Sequence, residues 1–150
     1  MGVTLRRKVE RIYPDRPIAA VGAVIKKEDK VLLVKRRFEP GVGKWSIPGG
    51  LIELGEKVHD AVVREVREEV GLVVKIERLI DVVDNIVYDE EGRIKYHYVI
   101  ADYLVCPISG ELKTSDEVVE LKWVTKEDLK GLDLTRTCRR LLEQIGFINE

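Results

Sequence analysis

Three glutamates in one short segment constrain this chain most. Glu65, Glu68 and Glu69 stand at positions i, i+3 and i+4, so in a helix their carboxylates lie on one side. Three like charges within one turn repel one another unless a cation or water lies between them. Hard cations such as Mg²⁺ bind carboxylate oxygens and keep positions open for water and phosphate oxygens. The spacing favours a metal site, with a solvated acidic helix face as the alternative.

The ends of this helix favour the metal site over the solvated face. The helix is predicted to begin near Lys57 or Val58 and to end at Gly71, a residue suited to the left-handed position past a helix end. Glu68 and Glu69 then lie in the last turn, where the helix dipole favours Lys or Arg instead. A stripe of valines beside the acids fixes one edge of the helix to a core. These valines are Val58, Val62, Val66 and Val70.

Composition limits the class of protein. A chain of 150 residues suits one domain over residues 1–150 with a sizeable core. A net charge of −1 gives no electrostatic case for generic nucleic-acid or membrane binding. The chain has no apolar run of spanning length and no signal-peptide pattern, so we expect a soluble, cytoplasmic protein. Cys106 and Cys138 are too few for a disulfide framework or a zinc site.

The segment before the helix is predicted to form β-strands. Residues 1–16 are basic and mixed, and we expect a loose arm or an early strand that helps to build a homodimer. Residues 18–27 form a β-rich run, residues 28–30 a turn, and residues 31–37 the hairpin partner. A loop rich in Pro and Gly covers residues 38–44.

The segment after the helix alternates between strands and turns. Strand-like runs occupy residues 73–87, a turn follows at 89–92, and residues 95–105 alternate as a strand does. We expect a loop over residues 107–115 and a further strand over residues 119–124.

Two more helical segments complete the chain. Residues 125–129 suit a short capped turn of helix, and Thr135 is placed to cap a final helix. Leu141, Leu142 and Ile145 form the apolar face of that helix. The order of strands, helix, strands and helix predicts an α/β (α+β) fold in which helices cover a sheet in an α/β/α arrangement.

The acidic helix belongs to a longer pattern. Gly50 is followed by Glu56 and then by the run R-E-V-R-E-E-V-G-L over residues 64–72. Residues 50–72 thereby resemble the Nudix box, and the W-x-x-P-G-G and D-E-x-x-E-x-x-W segments extend the resemblance over roughly residues 17–146. The resemblance implies a Nudix-type α/β/α sandwich with a mixed central β-sheet. It also implies an Mg²⁺-dependent hydrolase of phosphoric anhydride bonds.

The resemblance implies roles for the acids of the box. Glu65, Glu68 and Glu69 would bind the metal, joined by a backbone carbonyl at Gly49 or Gly50. Mg²⁺ is the expected cofactor and Mn²⁺ the alternative. Two such ions 3.5–4 Å apart, roughly, could clamp the attacking and leaving oxygens.

Supporting and basic residues follow from the same resemblance. Glu56 and Arg64 would form a salt bridge that orients the helix, with two unrelated surface charges as the alternative. Glu117, in the loop before the last strand, is the expected catalytic base, and Glu120 is its rival. Which glutamate acts stays open at this point. Because no Ser, Cys or Thr shows a nucleophile signature, direct attack by water is expected.

Basic residues flank the glycine-rich loop. The candidates for substrate binding are Arg36, Arg37 and Lys44. The guanidinium group of arginine can donate two parallel hydrogen bonds to two oxygens of one phosphate. The alternative is a charge cluster at the end of a strand.

The resemblance also ranks the substrates. The run R-R-F-E-P-G-x-G-K-W is similar to that of ADP-ribose enzymes, so cleavage of ADP-ribose to AMP and ribose 5-phosphate is favoured. Residues 86–88 lack the proline often found there in such enzymes, and Tyr88 is reminiscent of dinucleoside polyphosphate hydrolases. Nucleoside triphosphates are a third class, and an inactive nucleotide-binding module is the alternative outside catalysis. The expected partner is a small-molecule nucleotide, not a nucleic acid or a membrane.

Overall fold

A computed structural model describes residues 10–149 of the chain. Within these residues, seven strands and two helices follow one another, with one turn of 3₁₀ helix at Glu127–Gly131. The elements are β1 (Ile18–Lys27), β2 (Lys30–Arg36), β3 (Trp45–Ser46), β4 (Gly49–Leu51), α1 (Val58–Val70), β5 (Leu72–Tyr88), β6 (Ile94–Gly110), β7 (Val118–Val124) and α2 (Arg136–Gln144).

The strands form one mixed sheet around β1. The order is β3-β2-β1-β6-β5, with β4 also paired to β1 and β7 to β2. β1 is parallel to β6 and antiparallel to β2 and β4. β1 and β2 pair beside their turn, where Lys26 lies opposite Val31, and β1 then pairs with β4 at Ala20–Gly22. The two strands diverge beyond their turn, and this leaves room for a cleft.

Both faces of the sheet are covered by a helix. Alternate residues of a strand point to opposite faces, and Val21 and Ile25 of β1 join the cluster that contains Val62 of α1. Val24 joins the other cluster, together with Leu141 of α2. This arrangement confirms the predicted α/β/α sandwich with a mixed central sheet.

Helix α1 has the predicted limits. It begins at Val58 and ends at Val70, and Gly71 follows it in the left-handed region with φ +84°. The Gly71 amide donates to the carbonyl of Arg67, and a Cβ at Gly71 would collide with the carbonyl of Glu111. Glycine is required here for both reasons.

The hairpin of β5 and β6 is longer than predicted. The separate strand-like runs join into the single strand β5, and residues 107–110 extend β6 instead of forming a loop. The sequence suggested a loop because proline lacks a backbone N–H. Pro107 lies opposite Val74, next to a register shift, and such irregularities accommodate proline within a sheet.

Helix α2 has the predicted cap. The Cys138 amide donates to Oγ1 of Thr135 at 3.2 Å, and Leu141 and Leu142 are fully buried. None of the helices within residues 10–149 is long and apolar enough to cross a membrane. The expected arm over residues 1–16 lies mostly outside the described residues. Within its last part, the Tyr13 amide donates to the Lys95 carbonyl at 2.8 Å.

Candidate active site

A cavity of about 360 Å³ opens where β1 and β2 diverge. Its wall is built by β1, β2, β4, β6, the loop of residues 37–44, the C-terminal half of α1, the loop before β7 and the start of α2. Six residues predicted for the site line it, namely Arg36, Lys44, Gly50, Glu65, Glu69 and Glu117.

Glu69 is the most buried of the predicted acids. Glu69 is 8% exposed, and its Oε2 accepts a hydrogen bond from the Gly49 amide at 2.9 Å. Burial raises the pKa of Glu69 to about 8, the Gly49 bond opposes this rise, and the charges of Glu117 and Glu65 add to it. Such a carboxylate gains from a nearby cation.

Glu65 lies against Gly50 of strand β4. A Cβ on Gly50 would overlap the Glu65 carboxylate, so the missing side chain makes room for it. Burial raises the pKa of Glu65, the contact with Arg64 lowers it, and the charges of Glu68 and Glu117 raise it further. The W-x-x-P-G-G segment and the helix thus meet in direct contact between glycine backbone and carboxylate.

Arg64 connects four acceptors around the start of the site. It contacts Glu56 through Nε at 2.7 Å and Nη2 at 2.9 Å, and Nη2 also donates to the Leu51 carbonyl at 2.9 Å. Its Nη1 reaches Glu65 at 2.8 Å and Glu68 at 3.1 Å. The hydrogen bond to Glu56 raises the pKa of Arg64 above its ordinary value. The structure thus contains the predicted Glu56–Arg64 pair, which fastens β4 and its loop to α1.

Of the residues predicted to bind metal or substrate, Glu68 and Arg37 are not in the cavity wall. The side chain of Glu68, a predicted metal ligand, is 61% exposed and pairs with Arg64 one turn earlier in the helix. Arg37, a predicted substrate-binding residue, is exposed, and its Nη2 donates to the Val118 carbonyl at 3.4 Å. Each side chain is turned to a partner beside the cavity, and both roles stay predictions.

The structure separates the two candidate bases. Glu117 lines the cavity, and its charge acts on both Glu65 and Glu69. Glu120 is exposed on β7, opposite Lys35, and does not line the cavity. Glu117 is therefore the better placed of the two for attack inside the cavity.

The loop of residues 37–44 closes on Arg36. The Gly43 amide donates to the Arg36 carbonyl at 2.9 Å, and the Arg36 amide donates to the Lys44 carbonyl at 3.0 Å. The Arg36 Nε donates to the Pro40 carbonyl at 2.5 Å. These bonds hold two cations, Arg36 and Lys44, in the wall of the same cavity as the acids.

The acids fit a hard divalent cation without forming a complete cage in advance. Glu65, Glu69 and Glu117 present carboxylate oxygens at one end of the cavity, and hard cations such as Mg²⁺ prefer oxygen ligands. Across residues 10–149, no three acidic, His or Cys side chains already surround one point. The reason is local, since Arg64 takes up Glu65 and Glu68 while the Gly49 amide takes up Glu69. An ion bound here would compete with Arg64 for its carboxylates.

Sequence reasoning missed several residues of the cavity wall, and one of these is Asp102 on β6. It is 1% exposed, lines the cavity, and has no hydrogen-bond partner for either carboxylate oxygen. Burial raises the pKa of Asp102 to about 7, and the charge of Asp81 adds to the rise. A signal was present in the sequence, because Asp102 is the single acid within the apolar run of residues 98–105.

Asp102 makes stability depend on pH. The folded state keeps its proton up to about pH 7, whereas the unfolded state loses it near pH 4. Because the folded state binds more protons in this window, the contribution of Asp102 to stability declines as the pH rises from about 4 to about 7. Glu69 contributes to the same decline, so we expect urea unfolding to show that Asp102→Asn lessens the loss of stability between about pH 4 and pH 7 by a few kcal/mol, roughly. An unchanged slope in the variant would contradict the burial of a titrating carboxyl at this position.

Comparison with known proteins gives the family. The NUDIX domain model matches residues 16–145, so the chain belongs to the Nudix family and is a Nudix hydrolase. The ADP-ribose pyrophosphatase of Methanocaldococcus jannaschii is 37% identical over 125 residues, which are 83% of this chain and 71% of that protein. The nucleoside triphosphatase NudI of Escherichia coli K12 is 31% identical over 133 residues, covering 83% of this chain and 94% of that protein.

Solved structures agree with this assignment. The MutT Nudix hydrolase from Burkholderia pseudomallei is similar with a TM-score of 0.74 and 36% identity, over 87% of this chain and 99% of that one. The Nudix domain of Shewanella oneidensis NrtR, in complex with ADP-ribose, gives a TM-score of 0.69 and 25% identity over 88% of each chain. The predicted family, enzyme class and fold are confirmed.

Proposed function

We propose that this Nudix hydrolase uses Mg²⁺ to cleave ADP-ribose into AMP and ribose 5-phosphate. The observation that carries the proposal is a single cavity whose wall contains Glu65 and Glu69, beside the glycines of β4, together with Arg36 and Lys44. Acids suit a cation and arginine suits phosphate oxygens. The relative named an ADP-ribose pyrophosphatase and the ADP-ribose complex of a similar domain support this substrate.

The size of the cavity also suits a nucleotide. Its volume of about 360 Å³ lies in the range of small-molecule sites, roughly 300–1,000 Å³. The wall contains the acids Glu65, Glu69 and Glu117 as well as the aromatic and apolar side chains of Phe38, Tyr98 and Ile100. A ligand with a charged diphosphate and less polar base and sugar groups matches this mixed lining.

Acidic residues would bind the cation, and basic residues bind the phosphates. Glu65, Glu69 and the Gly50 carbonyl would hold the cation, with Glu68 joining them once released from Arg64. When bound, Mg²⁺ supplies neutralisation of phosphate charge and lowers the pKa of water. Arg36 and Lys44 bind phosphate oxygens.

Hydrolysis then needs a base for the attacking water. Glu117 takes the proton as the water oxygen forms a bond to one phosphorus. The bridging P–O bond breaks, and its electron pair leaves with the other phosphate. Glu56 and Arg64 orient helix α1 throughout. One water and one diphosphate thus give two monophosphate products.

A second substrate class has a specific observation in its favour. The similarity to a nucleoside triphosphatase extends over 94% of that relative. Dinucleoside polyphosphates stay a third prediction from the sequence. The cytoplasmic location and the homodimer also stay predictions.

A substrate panel with Mg²⁺ separates these classes. We expect AMP and ribose 5-phosphate from ADP-ribose, at a higher kcat/KM than for any other compound. Mononucleotide and pyrophosphate from a nucleoside triphosphate would favour the second class, and ATP plus AMP from diadenosine tetraphosphate the third. Absence of product from every compound would instead indicate a nucleotide-binding module.

Neutralising the base is expected to slow turnover. Glu117→Gln should lower kcat by about a hundredfold or more, because the amide cannot take the proton of the attacking water. Glu120→Gln makes the same change on the exposed face of β7 and should stay within about twofold of the wild type, which is within ordinary surface effects. Steady-state kinetics checks both variants, and the reverse order of effects would assign the base to Glu120.

A further inference from the structure

Asp102 stands apart from the acids that the proposed mechanism uses. Its carboxyl group is buried in the wall of the cavity, and neither oxygen has a hydrogen-bond partner within the protein. Buried polar groups in folded proteins are nearly always paired, and an unpaired one costs free energy. An arrangement selected for stability alone would not keep this acid, so its position calls for a ligand.

The backbone opposite Asp102 is shaped to admit the carboxyl group. In the parallel register Gly22 of β1 lies beside Asp102, and a Cβ at Gly22 would overlap its Oδ1. The Ile47 side chain would be the next contact of that Cβ. Glycine on one strand therefore provides the space that the acid on the next strand fills. The site is built by two strands and not by one side chain alone.

A row of residues along β6 indicates the chemical character of the ligand. Tyr98, Ile100 and Asp102 alternate along the strand, so they point to the same face, and all three line the cavity. The row thus presents an aromatic ring, an apolar side chain and a hydrogen-bonding group in sequence. Flat or ring-shaped groups with a polar edge match such a row.

The chemistry around Asp102 limits the groups that it can bind. Arg36 and Lys44 line the same cavity and are the better partners for phosphate oxygens. A metal ion needs several ligands, and Asp102 belongs to no group of three acidic, His or Cys side chains in the part of the chain that the structure describes. What remains is a group of the ligand that donates a hydrogen bond to a carboxyl oxygen.

We propose that Asp102 forms a subsite that accepts a hydrogen bond from an amino or hydroxyl group of the nucleoside part of the substrate. This inference deepens the proposed function and rests on it. Asp102 is a specificity-determining residue that positions the substrate, and it takes no part in breaking the P–O bond. Its elevated pKa of about 7 agrees with a carboxyl group that lacks a partner in the protein.

The test compares Asp102→Ala with the wild type. We expect KM for ADP-ribose to rise about ten- to a hundredfold, because the donor group of the ligand would be buried without its acceptor, while kcat stays within about threefold. Asp102→Asn keeps one acceptor oxygen and should give a smaller rise in KM. Asp84→Asn changes an exposed acid of the neighbouring strand β5 and should leave both constants unchanged. KM values within twofold of the wild type in both Asp102 variants would overturn the proposal, as would a loss confined to kcat.

Two analogues identify the donor group. If the base donates, replacing adenine by hypoxanthine should raise KM in the wild type and have no effect in Asp102→Ala. If the sugar donates, a 2′-deoxy analogue should show that pattern instead. Both patterns support the subsite, whereas analogue effects that persist unchanged in Asp102→Ala for both compounds would contradict it.

A binding experiment keeps this inference separate from the proposed function. Calorimetric titration with AMP requires no turnover, and AMP carries both the base and the ribose. We expect AMP to bind about tenfold or more weakly to Asp102→Ala than to the wild type. This result would support the subsite even if a different nucleotide proved to be the substrate. Equal AMP affinities would count against it whatever the enzyme cleaves.

Discussion

Replacing Glu69 by glutamine is expected to lower kcat by about a thousandfold, a loss comparable to removal of a principal electrostatic group from an active site. Glu69 is the most buried acid of the Nudix box, and it lies between the Gly49 amide and the charges of Glu65 and Glu117. The glutamine side chain keeps the shape of glutamate and one oxygen that accepts from the Gly49 amide, but it lacks the charge that attracts a cation.

The same substitution is expected to stabilise the metal-free protein. Burial and the charges of Glu65 and Glu117 raise the pKa of Glu69 to about 8, so the folded metal-free protein keeps a proton that the unfolded chain has lost by neutral pH, and this difference disfavours the folded state. In buffer with a chelator, thermal unfolding of Glu69→Gln should therefore occur at a higher temperature than that of the wild type. Glu77→Gln makes the same chemical change on the exposed surface of β5 and should alter neither kcat nor the unfolding temperature. Normal turnover by Glu69→Gln would remove this residue from the site.

Removing the Arg64 side chain is expected to have the largest effect on stability. Arg64 and Glu56 have side chains that are 23% and 15% exposed, and Arg64 also donates to the Leu51 carbonyl. Arg64→Ala leaves Glu56 without its charged partner and frees the loop after β4. Loss of one partner costs about 3–5 kcal/mol in a fully buried pair, and this pair is partly buried. We expect urea unfolding to show a loss near the lower end of this range, together with a lower kcat.

Two substitutions test the geometry of this pair. Arg64→Lys keeps the charge but not the fork that contacts Glu56 with two nitrogens, so its stability should fall between those of the wild type and Arg64→Ala. Arg67→Ala removes an exposed arginine from the same helix and should cost less than about 1 kcal/mol. If Arg64→Ala and Arg67→Ala unfold alike, the contacts of Arg64 have little energetic value.

Local signals explain why much of the fold was predictable. The valine stripe and Gly71 define the face and the end of α1 within a few residues of chain, and Thr135 does the same for the start of α2. The Nudix box adds fixed spacings that tie Gly50 to Glu65. Pro107 gave a misleading local signal, because the register shift that accommodates it depends on the neighbouring strand.

Longer-range contacts explain what the sequence could not provide. Asp102 depends on the register between β1 and β6, which brings it beside Gly22. The placements of Glu68 and Arg37 depend on rotamers and on competing partners, Arg64 for one and the Val118 carbonyl for the other. Spacing along a helix predicts which face a side chain shares, but not which of its neighbours it contacts.

Titration of Mg²⁺ into the nucleotide-free protein tests most directly whether these acids hold a cation. We predict saturable binding to the wild type by calorimetry, at least about tenfold weaker binding to Glu69→Gln, and unchanged binding to Glu77→Gln. Equal Mg²⁺ affinities for the wild type and Glu69→Gln would contradict the assignment of the divalent cation to the carboxylates beside Gly49 and Gly50 of β4.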